Sequence, residues 1–170
     1  MTVRMFAIWA MLVTGVLAGC GWQVRGNLLP PLALDSVRIA SSEQYTPLLQ
    51  ILTDAFVEND IDVVGAGEKA QYVLVLEDED LRKRTVGVGT DSLAAAFELQ
   101  LSQPFQWFDT QAVAVTSPLS AIVTRSLDAS DTTGIEREQE LLLDDMRREL
   151  VQQILRQSYF QLQPEQAAQE

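Results

Sequence analysis

Three stretches of this 170-residue chain hold residues that could do chemistry. The first is Cys20, the sole cysteine, set directly after an apolar run. A lone thiol makes no internal disulfide and no cysteine-rich zinc site. It is left as a buried apolar group, a redox or catalytic group, or an anchor point. The second is the acidic run Glu77-Asp78-Glu79-Asp80, which has the composition of a metal site. On a strand, Glu77 and Glu79 point one way and Asp78 and Asp80 the other. Carboxylates that diverge do not hold an ion together, so the run reads as a solvated strand extending past the core. The third is Gly65-Ala66-Gly67-Glu68-Lys69-Ala70, which matches G-x-G-x-x-A. A dinucleotide fingerprint needs a helix to open there, with the pyrophosphate at its N-terminus. Instead the apolar run Gln71-Tyr72-Val73-Leu74-Val75-Leu76 follows, so the glycines read as a turn between a helix and a strand.

Composition narrows the chemistry further. The chain has no histidine, which removes Ser-His-Asp and Cys-His catalysis and the commonest metal ligand. Its 24 acidic and 12 basic residues give a net charge of −12, a field that repels nucleic-acid phosphates. Acid–base catalysis would need carboxylates both buried and paired, and the pattern predicts none. The expectation is therefore a protein that is not an enzyme, with no metal, no cofactor and no nucleic-acid partner. Its length fits one domain with a sizeable core.

The front of the chain settles the cysteine's reading. Arg4 gives a positive start, residues 6–17 are apolar apart from Thr14 and Gly15, and the small residues Ala18 and Gly19 follow. About 12 helical residues rise about 18 Å, too little for a bilayer core of about 30 Å. Residues 1–19 thus read as a signal peptide. Leu17-Ala18-Gly19-Cys20 resembles a bacterial lipobox. That resemblance implies cleavage before Cys20, a diacylglycerol on its sulfur and an acyl chain on its new amine. Gly21 stands where an aspartate would retain the protein at the inner membrane in the enterobacterial-type rule, so the sequence resembles a lipoprotein sent to the outer membrane. One acyl chain holds only marginally, at about 0.8 kcal/mol per buried methylene, whereas two or three on one residue hold permanently.

Behind the anchor, residues 20–34 form a lipidated leader whose Pro30-Pro31 pair keeps it extended. The domain spans 35–160. Residues 36–41 alternate as a strand. Thr46 caps a helix that opens on Pro47 and carries the stripe Leu48, Leu49, Leu52, Ala55 and Phe56; Asn59 and Asp60 end it. Residues 72–76 form a buried strand that runs on through the acidic run into Arg82-Lys83-Arg84, up to a turn marked by Gly87, Gly89, Thr90 and Asp91. Over residues 93–107, Leu93, Ala95, Phe97, Leu99, Leu101, Phe105 and Trp107 share one face, with Gln103 as the exception; Glu98, Gln100, Ser102 and Gln106 share the other. After a reversal at Asp109-Thr110-Gln111, a return strand carries Val113, Val115, Leu119, Ala121 and Val123. Pro104 and Pro118 each lack a ladder donor, so a bulge or an unpaired edge is expected at each. Residues 126–134 read as a polar loop. Thr133-x-x-Glu136 fits a capping box for a last helix from 135 to about 159, with acids early and arginines late. Its stripe is Leu143, Met146, Leu150, Val151, Ile154 and Leu155. Residues 161–170 read as a disordered tail. The order β-α-β-β-β-α predicts a two-layer α/β (α+β) sandwich, a four-stranded mixed sheet with two helices on one face.

These pieces resemble the lipopolysaccharide-assembly lipoprotein family LptE. Cys20-Gly21-Trp22-Gln23-Val24-Arg25-Gly26 is similar to the family's Cys-Gly-aromatic-x-aliphatic-Arg opening, and Ala95-Ala96-Phe97-Glu98-Leu99 to its third strand. Arg125-Ser126-Leu127-Asp128 sits where the family often has an Arg-aromatic-Asp strand end, and Glu138-Gln139-Glu140-Leu141 through Met146-Arg147-Arg148-Glu149-Leu150 resembles its last helix. The resemblance implies a non-enzymatic plug inside the LptD β-barrel of the outer membrane. Such a protein is held by acyl chains on the periplasmic side, assists barrel assembly and helps deliver lipopolysaccharide to the surface. It also implies basic contacts to lipopolysaccharide near the turn from Gly87 to Asp91 and just before the last helix. Here the turn has no basic residue, Ile135 precedes the helix and Leu127 replaces the aromatic. The nearest lipopolysaccharide-binding candidates are Arg82, Lys83, Arg84, Arg125 and Arg137, and the partner-contact candidates beside the anchor are Trp22 and Arg25. A basic cluster meets lipid A phosphates through charge-assisted hydrogen bonds. The alternative for Arg82-Lys83-Arg84, and the favoured one, is partnership with the adjacent acidic run. A different function sharing the anchor and a small domain is a periplasm-facing lipoprotein that regulates a cell-wall synthase or serves a lipid transporter.

Two outcomes are expected. Cys20→Ala abolishes lipidation and leaves uncleaved or soluble precursor; mass spectrometry of the native-host protein showing an unmodified mature Cys20 would overturn the anchor. Thermal melting curves with and without a chelator coincide, and a large chelator-induced drop would reveal a metal site.

Overall fold

The structure is a computed structural model that describes residues 32, 34–43, 45–88, 94–128 and 134–166, with no side-chain description for 94, 95 and 164–166. Residues 1–19, Cys20, Trp22, Arg25, the turn at 89–91, Thr133 and residues 167–170 lie outside the described residues. Six strands and two helices follow one another. They are β1 (Ser36–Ser41), α1 (Pro47–Glu58), β2 (Asp62–Val63), β3 (Tyr72–Leu76), β4 (Asp80–Val88), β5 (Ala94–Phe108), β6 (Leu119–Asp128) and α2 (Ile135–Gln166). Among the described residues no helix is long and apolar enough to cross a membrane.

Local chemistry explains the first elements. Thr46 Oγ1 accepts from Leu49 N at 3.2 Å and Pro47 opens α1, as the cap pattern requires. The helix stops at Asn59, whose amide donates to Ala55 O at 2.7 Å, and Asp60 follows with φ of 60°. Gly67 takes φ of 95° in the turn before β3, and no helix opens there. At the hairpin after β5, Asp109 Oδ1 accepts from the backbone of Gln111 and Val113, both at 2.8 Å, with Ala112 at φ 60°. That side-chain turn holds Val113 and Val115 in a loop, so the return strand starts at Leu119, later than the alternation implied, and runs on to Asp128 through part of the expected polar loop.

The sheet is mixed. β1 pairs parallel with β2 and β3, while β3, β4 and β6 pair antiparallel with β5. The expected four strands are corrected to six. One addition is the two-residue β2. The other comes from a break in the strand expected to run from 72 past the basic triplet. Phe105 is paired with both Leu76 and Leu119, and Ser102 with both Asp80 and Ile122. So β3 and β4 lie along the same edge of β5, opposite β6, as one track interrupted at 77–79. Three residues there oppose only Gln103 and Pro104 on β5. Pro104 has no N–H to donate, so the ladder slips by one residue. Glu77 N still donates to Pro104 O at 3.1 Å. The amide of Gln103, only 2% exposed, donates to Glu77 O at 2.7 Å and Pro104 O at 3.0 Å. The one polar residue on β5's apolar face thus fills the gap that its proline neighbour opens.

Both helices cover that apolar face. Trp107 is fully buried, with the ring of Phe56 from α1 edge-on at 6.3 Å and that of Tyr72 from β3 at 6.5 Å. Its indole N–H donates to Ser158 Oγ of α2 at 2.9 Å, and that hydroxyl donates on to Ile154 O at 2.7 Å. Along α2, Met146, Leu150, Ile154, Ser158 and Leu162 recur every fourth residue, all 1% exposed or less. Leu162 carries the row past the expected end near 159. The helix reaches Gln166, so the expected tail from 161 begins as helix. Glutamine is a good helix former, so a Gln-rich stretch follows whichever way the stripe leads.

Replacing Gln103 by leucine should leave Glu77 O without the amide donor, while Pro104 O keeps only the N–H of Glu77. A cost of about 1–3 kcal/mol is expected, read as a lower urea midpoint at constant slope. An unchanged midpoint would show that the bulge holds without the amide.

Candidate functional site

The register sorts the basic candidates by face. Leu81, Lys83 and Thr85 pair with Leu101, Leu99 and Phe97, so they stand on the helix-covered side. Arg82 and Arg84 pair with Gln100 and Glu98, so they stand on the open side. Arg125 pairs with Leu99 and faces the helices, like Lys83. The five residues therefore form no single cluster.

Each face has its own partners. On the covered side, Lys83 Nζ donates to Gln139 Oε1 of α2 at 2.7 Å and lies 4.1 Å from the centroid of the Phe97 ring. Arg125 pairs with Glu149 of α2. On the open side, Arg82 meets Asp80 at 2.8 Å and Arg84 meets Glu98 at 2.6 Å. The bond to Glu98 holds the Arg84 guanidinium above its ordinary pKa. With side chains 75% and 72% exposed, both arginines remain open to solvent, and such pairs add little stability. Arg137 is exposed in the first turn of α2 and makes no ion pair among the described residues.

The acidic run disperses as alternation and the bulge require. Asp78 Oδ1 accepts from Ser42 Oγ at 2.5 Å, Asp80 goes to Arg82, and Glu79 reaches α2. Arg147 grips Glu79 with Nη2 at 2.9 Å and Nε at 3.2 Å, a two-pronged contact in which both side chains are about one-fifth exposed. The hydrogen bond to Glu79 raises the arginine's pKa against the opposing effect of burial. In the sequence Arg147 is one of several arginines late in α2. Its place one residue after Met146 of the buried row was the available signal.

Among the described residues, the surface opens into recesses at two places near the sheet and α1. One, of about 570 Å³, is lined by Ala40, Ser41, Ser42, Val75, Leu76, Glu77 and Asp78. The other, of about 470 Å³, is lined by Tyr45, Thr46, Pro47, Leu49, Gln50, Thr53 and Asp54. Neither contains a basic candidate, and the first carries carboxylates at its lip, so neither suits a phosphate. The broad feature is the open sheet face itself. Its adjacent rows are Ser102 and Ile122; Arg82, Gln100 and Thr124; and Arg84, Glu98 and Ser126. Within these rows Ile122, 47% exposed, is the apolar member, and further along the same face stand Pro104, Val75 and Phe108.

Comparison with known proteins places this architecture. The chain is 30% identical over 150 residues to the LPS-assembly lipoprotein LptE of Photorhabdus laumondii, covering 87% of this chain and 80% of the relative. It is 25% identical over 157 residues to the same-named protein of Pectobacterium atrosepticum, covering 90% and 84%. Its fold is similar to a crystal structure of rare lipoprotein B from Shewanella oneidensis, with a TM-score of 0.65 at 22% identity over 79% of this chain and 99% of that one. It is also similar to a solution structure of lipoprotein B from Nitrosomonas europaea, with a TM-score of 0.67 at 24% identity over 75% and 84%. Residues 34–158 match the family LptE, described as lipopolysaccharide-assembly, and the chain belongs to that family.

Proposed function

We propose that this chain is a lipoprotein of the outer membrane, held by acyl chains on Cys20 on the periplasmic side, that plugs the LptD barrel, assists its assembly and helps deliver lipopolysaccharide. It performs no catalysis. The observation that carries the reading is the sheet's asymmetry. Both helices take the apolar face, which leaves Gln100, Ser102, Thr124 and Ser126 turned outward. A water-filled barrel lumen is itself polar, and a polar sheet face meets it without desolvating apolar walls. A barrel wrapped around a domain of this size buries well over about 2,000 Å² in total, the range of obligate partners.

Among the basic candidates, the side chains of Arg82, Lys83, Arg84 and Arg125 have partners within the domain. Arg137 makes no ion pair among the described residues, so it is the candidate assigned to a lipid A phosphate, and it stands close to the place before the last helix that the family resemblance points to. Trp22 and Arg25, next to the anchor, are the residues placed to touch the barrel rim.

Photoreactive residues at Thr110 and Gln111, at Gly89, Thr90 and Asp91, and at Ile122 are expected to capture an outer-membrane barrel in living cells. One at buried Leu150 is not. If no turn or open-face position captures a barrel, and the lipoprotein purifies alone from native membranes, the plug reading fails.

A further inference from the structure

The long edges of the sheet are finished differently. On the outer side of β6, Ile122 N donates to Gln153 Oε1 of α2 at 3.1 Å, and Ser120 O accepts from Gln157 Nε2 at 3.3 Å. The helix thereby covers part of an edge that would otherwise template another strand. On β4 nothing comparable happens: among the described residues its backbone pairs only with β5, and its link to α2 is the side chain of Lys83 on Gln139.

The register tells which groups that edge presents. Pro104 O accepts from Glu77 N, so at Pro104 the β5 backbone faces the β3–β4 track. A strand residue directs its N–H and C=O to the same side, and every second residue shares that side. Ser102, Gln100 and Glu98 therefore bond to Asp80, Arg82 and Arg84. The backbone N–H and C=O groups of Leu81, Lys83 and Thr85 are left facing outward. The register shifts between Thr85 and Gly87 and between Gly87 and Val88 end the regular stretch, so the pairing window is 81–85, about 14 Å long.

We propose that this edge accepts an extended acidic segment of a partner protein as an added strand. Charge identifies the occupant. The chain as a whole carries −12, yet β4 holds three basic residues and one acidic. Arg82 and Arg84 extend on the open face beside the empty position, so carboxylates alternating along an added strand fall next to them. A second copy is the wrong occupant, because antiparallel pairing of two β4 edges sets the basic triplets against each other. The leader at 20–34 is also wrong, since it carries Arg25 and no acid. The same three cations that keep copies of this chain apart thus select the sign of a foreign strand. This edge is distinct from the open face assigned to the barrel lumen, and either can hold without the other.

The test uses the full chain, nitrogen-15 labelled in nonionic detergent, with a capped decapeptide of alternating threonine and glutamate as probe. Amide hydrogen exchange is read residue by residue. At a peptide concentration about ten times its Kd, the amides of Leu81, Lys83 and Thr85 should slow about tenfold. Those of Arg82 and Arg84, already bonded to β5, should not change. The Arg82→Gln/Arg84→Gln double variant keeps the fold, since both side chains are exposed, and should bind roughly tenfold more weakly. A threonine–lysine decapeptide should protect nothing. Protection without the every-second-residue pattern, equal protection by the lysine peptide, or none at saturating glutamate peptide overturns the proposal. So does protection of the same amides by phosphatidylglycerol vesicles and not by the peptide, which would assign the edge to lipid phosphate.

Discussion

The missing N–H of Pro104 decides which way the basic strand faces. On β3 the even-numbered residues Tyr72, Leu74 and Leu76 point into the core. Had the track continued in step, Arg82 and Arg84 would have followed them inward, beneath the helices, with Lys83 outside. One residue of slip reverses every side chain beyond it. The slip at 77–79 therefore sends the two arginines to water and leaves Leu81, Lys83 and Thr85 toward the helices. Burying two guanidiniums in an apolar layer costs several kcal/mol each without ideal partners. A backbone defect closed by one glutamine amide is much the smaller cost.

That dependence also explains what the sequence could disclose. Alternation over β5, the Thr46–Pro47 cap, the stripe of α1, the turn at Asp109 and the bulge at Pro104 were all legible, because each rests on neighbours within a few residues. Gln103 stood out as a lone polar residue on an apolar face, an anomaly that its buried amide resolves. The split of β3 from β4 was not legible from residues 72–88 alone. Its cause lies on another strand, and nothing in the run Glu77-Asp78-Glu79-Asp80 records that its opposite number includes a proline. β2 is two residues held by pairing to β1, too short to carry a period. Val113 and Val115 kept a strand's alternation, but the Asp109 carboxylate and the positive φ of Ala112 hold them in a loop.

Charge was legible in amount and not in pairing. The basic triplet invited the reading of a patch, and alternation divides it: Lys83 joins Arg125 on one face while Arg82 and Arg84 take the other. The contacts of Arg125 with Glu149 and of Arg147 with Glu79 join residues far apart in the chain, so no local pattern announces them. They differ in weight as well. The Glu79–Arg147 contact is two-pronged and mostly shielded from solvent, whereas the pairs on the open face are well solvated and weak.

α2 gathers these effects into one element. Gln139 reaches Lys83, Arg147 reaches the bulge at Glu79, Glu149 reaches Arg125, and Gln153 and Gln157 reach the edge of β6. Ser158 meets Trp107 beneath the centre of the sheet. A helix of 32 residues rises about 48 Å, long enough to touch the β4, β5 and β6 tracks in turn. Its polar contacts fall to either side of the buried row from Met146 to Leu162, one set fastening the β4 side and the other the β6 side. The helix is thus fixed in rotation as well as in position, because turning it by one residue would break both sets at once. What it leaves uncovered among the described residues is equally fixed, and includes the open sheet face and the outer backbone of β4.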